Sequence, residues 1–301
     1  MKQVNVLLSA YNGEHYIRQQ IESILAQSYE NIQLYIRDDG STDGTRVVLE
    51  EYSQQENIHI LLEDNVGFVH SFEDLMVQSG EADYYAFCDQ DDVWLSDKIT
   101  MAVELLEKED QRQPLLYFSN YDYYDWDLNF QEHHVMEQPN ISFQNALVDC
   151  VSLGFNSVFN RTARDMVVDK MPKHSLGHDW WMYMVCVAFG KVIYDNRVTV
   201  KYRRHQSNVS SAGMGFLQFQ IWRFKKFFLN GYFKRVKTQI REFDTLYGGA
   251  LKEEDRQMIH LFSGEKNSVG NVFRKVFCKG AFRQNKMDEI FVRCIFLIGQ
   301  L

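Results

Sequence analysis

The first hundred residues alternate two apolar patterns. Short runs rich in β-branched and aromatic residues recur: "VNVLLS" (4–9), "IQLYIRDD" (32–39), "IHILLE" (58–63) and "DYYAFCD" (83–89). Each is the length of a buried strand. Between them lie "EHYIRQQIESILAQS" (14–28), "STDGTRVVLEEYSQQ" (41–55) and "FVHSFEDLMVQS" (68–79). In the first of these, Tyr16, Ile17, Ile21, Ile24 and Leu25 recur at helical spacing. The second opens with Ser, Thr and Asp, which cap helices. Strand, helix, strand, helix implies crossover units and a mainly parallel sheet with helices on both faces, an α/β fold.

The pattern then loosens. A helix is expected from Lys98 to about Asp110, a strand in "PLLYFSNYDYYD" (114–125) and a short helix in "SFQNALVDC" (142–150). "GFNSVFN" (154–160) reads as a strand, "HDWWMYMVCVAFG" (178–190) as an apolar helix ending at Gly190, and "KVIYD" and "VTVKYRRH" as two further strands. From about Gly213 the texture changes to basic, aromatic helical segments without convincing strands. Two regions are expected: a body, 1–211, and a helical appendage, 212–301.

Charge sharpens that division. Residues 212–301 hold 16 Lys and Arg against 8 Asp and Glu, a net +8, whereas residues 1–211 hold 16 against 33, a net −17. An acidic body with a basic appendage is expected. The 45% hydrophobic content is ample for a core. Cys88, Cys150, Cys186, Cys278 and Cys294 are odd in number and contain no C-x-x-C pair, so neither a disulfide framework nor a zinc knuckle is expected and a reducing cytoplasm fits. The N-terminus lacks a signal-peptide pattern, and no apolar run is long enough to span a bilayer.

In an open parallel sheet, ligands bind beyond the carboxyl ends of the strands. Three polar clusters follow strands here and belong along one edge. The first is Ser9, Ala10, Tyr11 and Asn12. The second, Asp38 and Asp39 before Gly40, holds more acid than one helix cap needs. A carboxylate there can accept hydrogen bonds from a nucleobase or ribose, with Tyr11 and Asn12 offering stacking and amide contacts. The third is Asp89, Gln90, Asp91 and Asp92, followed by Val93 and Trp94. A solvated acidic loop is the plainer explanation. It gives no reason for three mutually repelling acids between a buried strand and a tryptophan. A hard divalent cation, Mg²⁺ or Mn²⁺, gives one, since it takes one or two carboxylates plus phosphate oxygens. Trp94 reads as a packing residue.

Two clusters follow later. His178 and Asp179 precede the apolar helix that starts about Trp180. Asp179 suits a cap, and a carboxylate at a helix N-terminus stays ionised and is a candidate general base. His178 is the alternative base, or a structural partner. "YRRHQSNVS" carries Arg203, Arg204 and His205. It is either a strand end exposing cations or the source of phosphate contacts, with neutral His205 as a metal ligand.

Taken together, these motifs resemble the inverting glycosyltransferases of family 2, which have the GT-A fold. The resemblance covers roughly residues 3–211 and is carried by "LLSAYNGEHYIRQQIESILAQSYENIQLYIRDDGSTDGT", "CDQDDVWLSDK", "HDWWM" and "YRRHQSNVS". The last three look like the versions in bacterial rhamnosyltransferases of cell-wall and O-antigen polysaccharide synthesis. The resemblance implies that Tyr11 and Asp39 contact the nucleoside, that Asp89 serves the ribose or metal side, and that Asp91 is the principal metal ligand. It also implies that Asp179 is the catalytic base and that His205 faces the metal-diphosphate. Many members carry Glu-Asp where this chain has His178-Asp179. The implied reaction moves a sugar, L-rhamnose from dTDP-β-L-rhamnose or another sugar from a UDP donor, onto a hydroxyl of a lipid-linked glycan.

Two other classes compete. A nucleotidyltransferase would show a glycine-rich basic loop after its first strand, which "SAYNGEHY" lacks. A non-catalytic nucleotide-sugar-binding protein would not need Asp89, Asp91 and Asp179 together. In the appendage, stretches 216–237 and 271–301 interleave aromatic and basic residues. That texture suits peripheral attachment to the anionic inner face of the cell membrane, with homo-oligomer packing as the competitor and nucleic acid a poor fit.

Overall fold

A computed structural model describes residues 1–134, 136–205, 231–264, 268–299 and 301. Stretch 216–230, part of the first expected membrane segment, and the expected boundary at 211 lie outside the described residues.

Strands β1 (Val4–Ala10), β2 (Ile32–Asp39), β3 (Ile58–Glu63) and β4 (Tyr84–Asp89) form a parallel half-sheet in the order β3-β2-β1-β4. Helices α1 (Ile17–Leu25), α2 (Thr45–Glu50) and α3 (Phe68–Gln78) make the crossovers. The sheet then continues through β8 (Ser157–Asn160), β6 (Leu115–Tyr124), β9 (Lys191–Arg203) and the two-residue β5 (Val93–Trp94), with β7 (Phe130–His133) paired to β6. β8 runs antiparallel to both β4 and β6, whereas β9 is parallel to β6. The parallel half thus hands over to a mixed half at β8.

Alternation along each strand feeds two cores. On β4, Tyr84, Ala86 and Cys88 point into the core beneath α1 and α4 (Lys98–Leu106), while Tyr85 and Phe87 point to the opposite face. That second face is covered by α3, α5 (Phe143–Ala146), α6 (Arg161–Asp169) and α7 (His178–Phe189). Helix α7 is apolar all round, which requires cover on every side. The sheet covers one side, and α8 (Tyr232–Tyr247) covers another through Phe243, 5.4 Å from the Trp181 ring. Three further helices follow: α9 (Glu253–Ser263), α10 (Val269–Val276) and α11 (Lys286–Leu297).

Three differences from the sequence pattern have local causes. "KVIYD" and "VTVKYRRH" are one strand, β9, because Asn196 and Arg197 bulge out of register where Asp195 pairs with Ser119 and Val198 with Asn120. Helix α6 has too few apolar positions to show as periodic. It is started by Asn160, whose side chain accepts from Ala163 N at 3.0 Å. Gly154–Asn156 forms a 3-10 turn ahead of β8. Position 190, the C-cap of α7, requires glycine because a Cβ there would lie 1.8 Å from the Pro114 carbonyl oxygen.

Candidate active site

The carboxyl ends of β1, β2 and β4 meet at one edge, and hydrogen bonds stitch their loops together. After β1, Asn12 adopts a positive φ of 49° and ties to the β2 loop from both ends. Its N–H donates to Ser41 Oγ at 2.9 Å, and its Oδ1 accepts from Thr42 N at 2.8 Å. Ser9 Oγ lies 2.6 Å from Ser71 Oγ on α3. The ring of Tyr11 stands exposed at the rim.

Asp38 and Asp39 are buried rather than presented to solvent. One oxygen of Asp38 accepts from Ser41 N and from Arg46 Nε at 2.6 Å. Asp39 pairs with the buried Arg37 and accepts from the Val66 and Gly67 amides at 2.9 and 3.0 Å. Asp38 thus braces the turn after β2, and Asp39 braces the loop after β3. The oxygens of Asp39 are taken up by Arg37, Val66 and Gly67, so its influence on the edge runs through residues 66 and 67. Arg37, absent from the sequence reading, sits two positions before Asp39 on the same face of β2 and is the partner that alternation could have revealed.

Beyond β4, Asp89, Asp91 and Asp92 each bring a carboxylate oxygen within 4.8 Å of the others. Asp91 Oδ2 lies 2.8 Å from His205 Nε2 at the end of β9, and the imidazole stacks on Tyr16 at 4.6 Å. Burial, helped by the Asp91 and Asp179 carboxylates, pushes Asp89 up to about 8. Burial and the same crowding push Asp92 well above the usual carboxylate range. A divalent cation would reverse this logic by favouring the ionised acids. The grouped carboxylate oxygens of Asp89 and Asp91 suit Mn²⁺ or Mg²⁺, and His205 Nε2 offers a further donor beside Asp91.

Asp92 takes a different position. It is fully buried, and its Oδ1 accepts from the Arg203 amide at 3.0 Å. Its Oδ2 has no hydrogen-bond partner among the described residues; nor do Lys98 Nζ and Trp94 Nε1, which are buried too. Lys98 Nζ lies 4.9 Å from the Trp94 ring centroid, and the Asp92 charge acts on it against burial, which lowers Lys98 to about 7. Asp92, Trp94 and Lys98 thus form the inner support of the acidic loop.

The Arg203 side chain is also turned inward. It donates to the Asp91 carbonyl at 2.9 Å, to the Trp126 carbonyl at 2.9 Å and to Gln19. It welds the end of β9 to the acidic loop. Arg204 points away, paired with Glu132 at 2.6 Å and over the Tyr123 ring. Of the two expected phosphate contacts, one is held beneath the loop and the other on the β6–β7 side. Trp126, missed in the sequence reading, packs edge-on against Tyr16 at 4.9 Å and lies 6.0 Å from the His205 ring.

Gln90 forms a clasp. Its Oε1 accepts from Tyr11 N and its Nε2 donates to Tyr11 O, both at 2.9 Å. The side chain fills the space over Gly13, where a Cβ would meet Gln90 Oε1 at 2.1 Å. The loop expected to hold the nucleoside and the loop expected to hold the metal are therefore joined by one amide.

Asp179 sits in the first turn of α7. Its Oδ2 accepts from Gly154 N at 3.0 Å and its Oδ1 from Trp180 N at 2.7 Å. The Asp179 charge adds to the upward push on Asp89, so the two acids lie close enough to interact. Trp180 is a supporting residue, buried with its indole N–H donating to the Ala146 carbonyl at 2.7 Å. His178 lies between Phe72, stacked at 3.8 Å, and the edge of Phe87 at 4.5 Å, with neither ring nitrogen hydrogen-bonded among the described residues. Burial lowers it to about 4, so the ring is neutral and packs as an aromatic.

Two predictions follow from these positions. Gln90→Glu keeps the acceptor for Tyr11 N and removes the donor to Tyr11 O. It is expected to weaken donor binding about tenfold with little change in stability; an unchanged affinity in a calorimetric titration rejects the clasp. The His178 prediction concerns acid stability. Between about pH 6.5 and about pH 4 the unfolded chain takes up a proton that the folded chain refuses, so stability falls as pH falls. His178→Phe should recover about 2–3 kcal/mol of that acid loss in urea titrations. An unchanged pH slope shows that His178 is not held neutral.

Comparison with known proteins gives the family and the fold. The sequence model of the family described as "Glycosyl transferase family 2" matches residues 5–171. The chain is 26% identical over 308 residues to "dTDP-rhamnosyl transferase RfbG" of Shigella flexneri, covering 97% of this chain and 99% of that protein. It is also 26% identical over 211 residues to "Putative teichuronic acid biosynthesis glycosyltransferase TuaG" of Bacillus subtilis, covering 69% of this chain and 81% of the other. Among solved structures, S. aureus TarS 1–349 in complex with UDP-GlcNAc superposes with a TM-score of 0.61 at 14% identity, over 99% of this chain and 79% of that one. The mannosyltransferase PcManGT of Pyrobaculum calidifontis, in complex with GDP-Man and Mn²⁺, gives 0.52 at 14% identity, over 99% of this chain and 86% of that one. The architecture is the GT-A fold, and with the family match running from β1 past α6, the chain belongs to glycosyl transferase family 2.

Proposed function

We propose that this glycosyltransferase moves L-rhamnose from dTDP-β-L-rhamnose onto a hydroxyl of a lipid-linked polysaccharide acceptor, with inversion, at the inner face of the cell membrane. The observation that carries the reaction type is Asp179. Its oxygens accept from the Gly154 and Trp180 amides, and it lies close enough to Asp89 of the Asp89–Asp91–Asp92 cluster for the two charges to interact. The donor is favoured by the end-to-end likeness to a protein named as a dTDP-rhamnosyl transferase. A UDP-sugar donor is the second reading, favoured by 30% identity over 105 residues to a protein named as a UDP-Glc-dependent glucosyltransferase, WfgD of Escherichia coli.

The chemistry is one displacement. The acceptor oxygen attacks the anomeric carbon as the bond from that carbon to the diphosphate oxygen breaks, and the electron pair leaves with the nucleotide diphosphate. Asp179 takes the proton of the attacking hydroxyl. Its two amide donors fix the carboxylate while leaving a lone pair on each oxygen. Mn²⁺ or Mg²⁺ bound by Asp91, Asp89 and His205 would neutralise charge on the leaving diphosphate. Gln90 holds the Tyr11 and Asp91 loops at fixed separation, which sets nucleoside and diphosphate in register.

Asp179→Asn should lower the transfer rate by about 10²–10⁴ while donor affinity stays within about twofold. Near-normal turnover sinks the base assignment. Asp91→Ala should abolish the dependence of donor binding on Mn²⁺ in calorimetry, and an unaltered dependence rejects that ligand. Transfer or hydrolysis measured across dTDP-, UDP- and GDP-sugars decides the donor: turnover confined to a UDP-sugar overturns rhamnose, and turnover with none overturns the enzyme reading.

A further inference from the structure

Two helices near the end of the chain turn apolar stripes outward. On α10, Val269 and Phe273, then Phe277 just beyond it, recur every fourth residue; the two rings are 54% and 72% exposed. The helix is inverted relative to ordinary amphipathic packing. Its Lys275 is the buried residue, with Nζ donating to the Leu301 carbonyl at 2.9 Å. On α11, Val292, Ile295 and Phe296 face the core. Met287, Ile290, Cys294 and Leu297 form a second stripe on the outer side at i, i+3, i+7 and i+10, with Ile298 following. Between α9 and α10 an apolar groove of about 540 Å³, with Met258 and Leu261 opposite Phe273 and Phe277, carries the surface inward.

The exposed charges around these stripes are mostly cations; Glu254, on the α9 wall of the groove, is an exposed acid. Among described residues 268–299, every exposed charged side chain is a cation: Arg274, Lys279 and Lys286. The acids Asp288 and Glu289 are half-buried, and Glu289 is engaged by the Phe282 and Arg283 amides and by Arg293. No helix among the described residues is long and apolar enough to cross a membrane.

We propose that the outer face of α10 and α11 is a docking surface for an anionic lipid bilayer. Phe273, Phe277, Ile290 and Leu297 enter the interfacial layer, and Arg274, Lys279 and Lys286 meet the headgroups. Aromatic and aliphatic side chains flanked by cations, with no exposed acid among the described residues of either helix, match the chemistry of such a surface. A second copy fits less well. A two-fold contact through this face would set Arg274, Lys279 and Lys286 against the same three cations, with Glu254 on the groove wall as the exposed acid to offset them. The surface is argued independently of the donor sugar. Only its link to a lipid-linked acceptor rests on the proposed function.

The test is co-sedimentation of the full chain with vesicles of phosphatidylglycerol and phosphatidylcholine, and with phosphatidylcholine alone. Binding to the anionic vesicles, weakened by salt, is expected. The triple variant Phe273→Ser, Phe277→Ser, Ile290→Ser should lower the partition coefficient at least about tenfold. Lys279→Glu with Lys286→Glu should remove the preference for anionic over zwitterionic vesicles. All these residues are exposed, so circular dichroism and donor hydrolysis should match the unmodified chain. Failure of the unmodified chain to bind either vesicle overturns the proposal, and so does unchanged binding by the triple variant. A dimer in light scattering that the triple variant dissociates, without vesicle binding, assigns the face to a second copy instead. Transfer to a soluble acceptor, measured in parallel, keeps these outcomes separate from the fate of the glycosyl-transfer reading.

Discussion

Negative charge crowded at the carboxyl ends of three parallel strands is the constraint around which the rest of the body is arranged. Asp38, Asp39, Asp89, Asp91 and Asp92 all end up at one edge because β1, β2 and β4 run side by side. Each acid is compensated locally and differently. Asp38 and Asp39 have Arg46 and Arg37, Asp91 has His205, and Asp92 has the Arg203 amide with Lys98 nearby. Among the described residues Asp89 has no comparable cation; burial pushes it up to about 8 and also holds Asp92 well above the usual carboxylate range. The edge is thus partly neutralised by the fold and partly left as demand for an external cation.

The same arrangement explains why loops far apart in sequence behave as one unit. Gln90 grips the peptide of Tyr11, Asn12 grips the β2 loop, and Arg203 draws the end of β9 under Asp91. These are mostly backbone contacts made by side chains, so they fix loop spacing rather than burying area. Preorganisation of this kind lowers the cost of ordering when a charged ligand arrives.

Much of this was legible before any coordinates. The period-two and helical runs of residues 4–110 mark the four parallel strands and their crossovers, because buried strands and amphipathic helices impose different spacings. The strand-end acids and "HDWW" followed from that topology. What escaped notice shares one cause: its partners are distant in sequence. Trp126 meets Tyr16, more than a hundred positions earlier in the chain, beside the His205 ring. Gly154 serves Asp179 through a backbone amide, which leaves no side-chain signature. The inward turn of Arg203 and the aromatic cage of His178 depend on which face each residue presents, and a basic or histidine-containing motif does not encode that. Likewise, basic and aromatic texture marked the tail as amphipathic without telling which stripe packs inward. On α10 the apolar stripe faces out and the lysine faces in.

Helix α7 carries Asp179 at its head and is wrapped on its outer side by α8. Phe233, Val236, Ile240, Phe243 and Tyr247 of α8 share one continuous core with Trp181 and Met184 of α7 and with Phe262 and Phe296 beneath the outward-facing helices. The aim of the candidate base and the posture of the outer surface are therefore two ends of a single packed interior. Side chains packed one against another thus connect the helix that carries the candidate base with the helices that carry the outer surface.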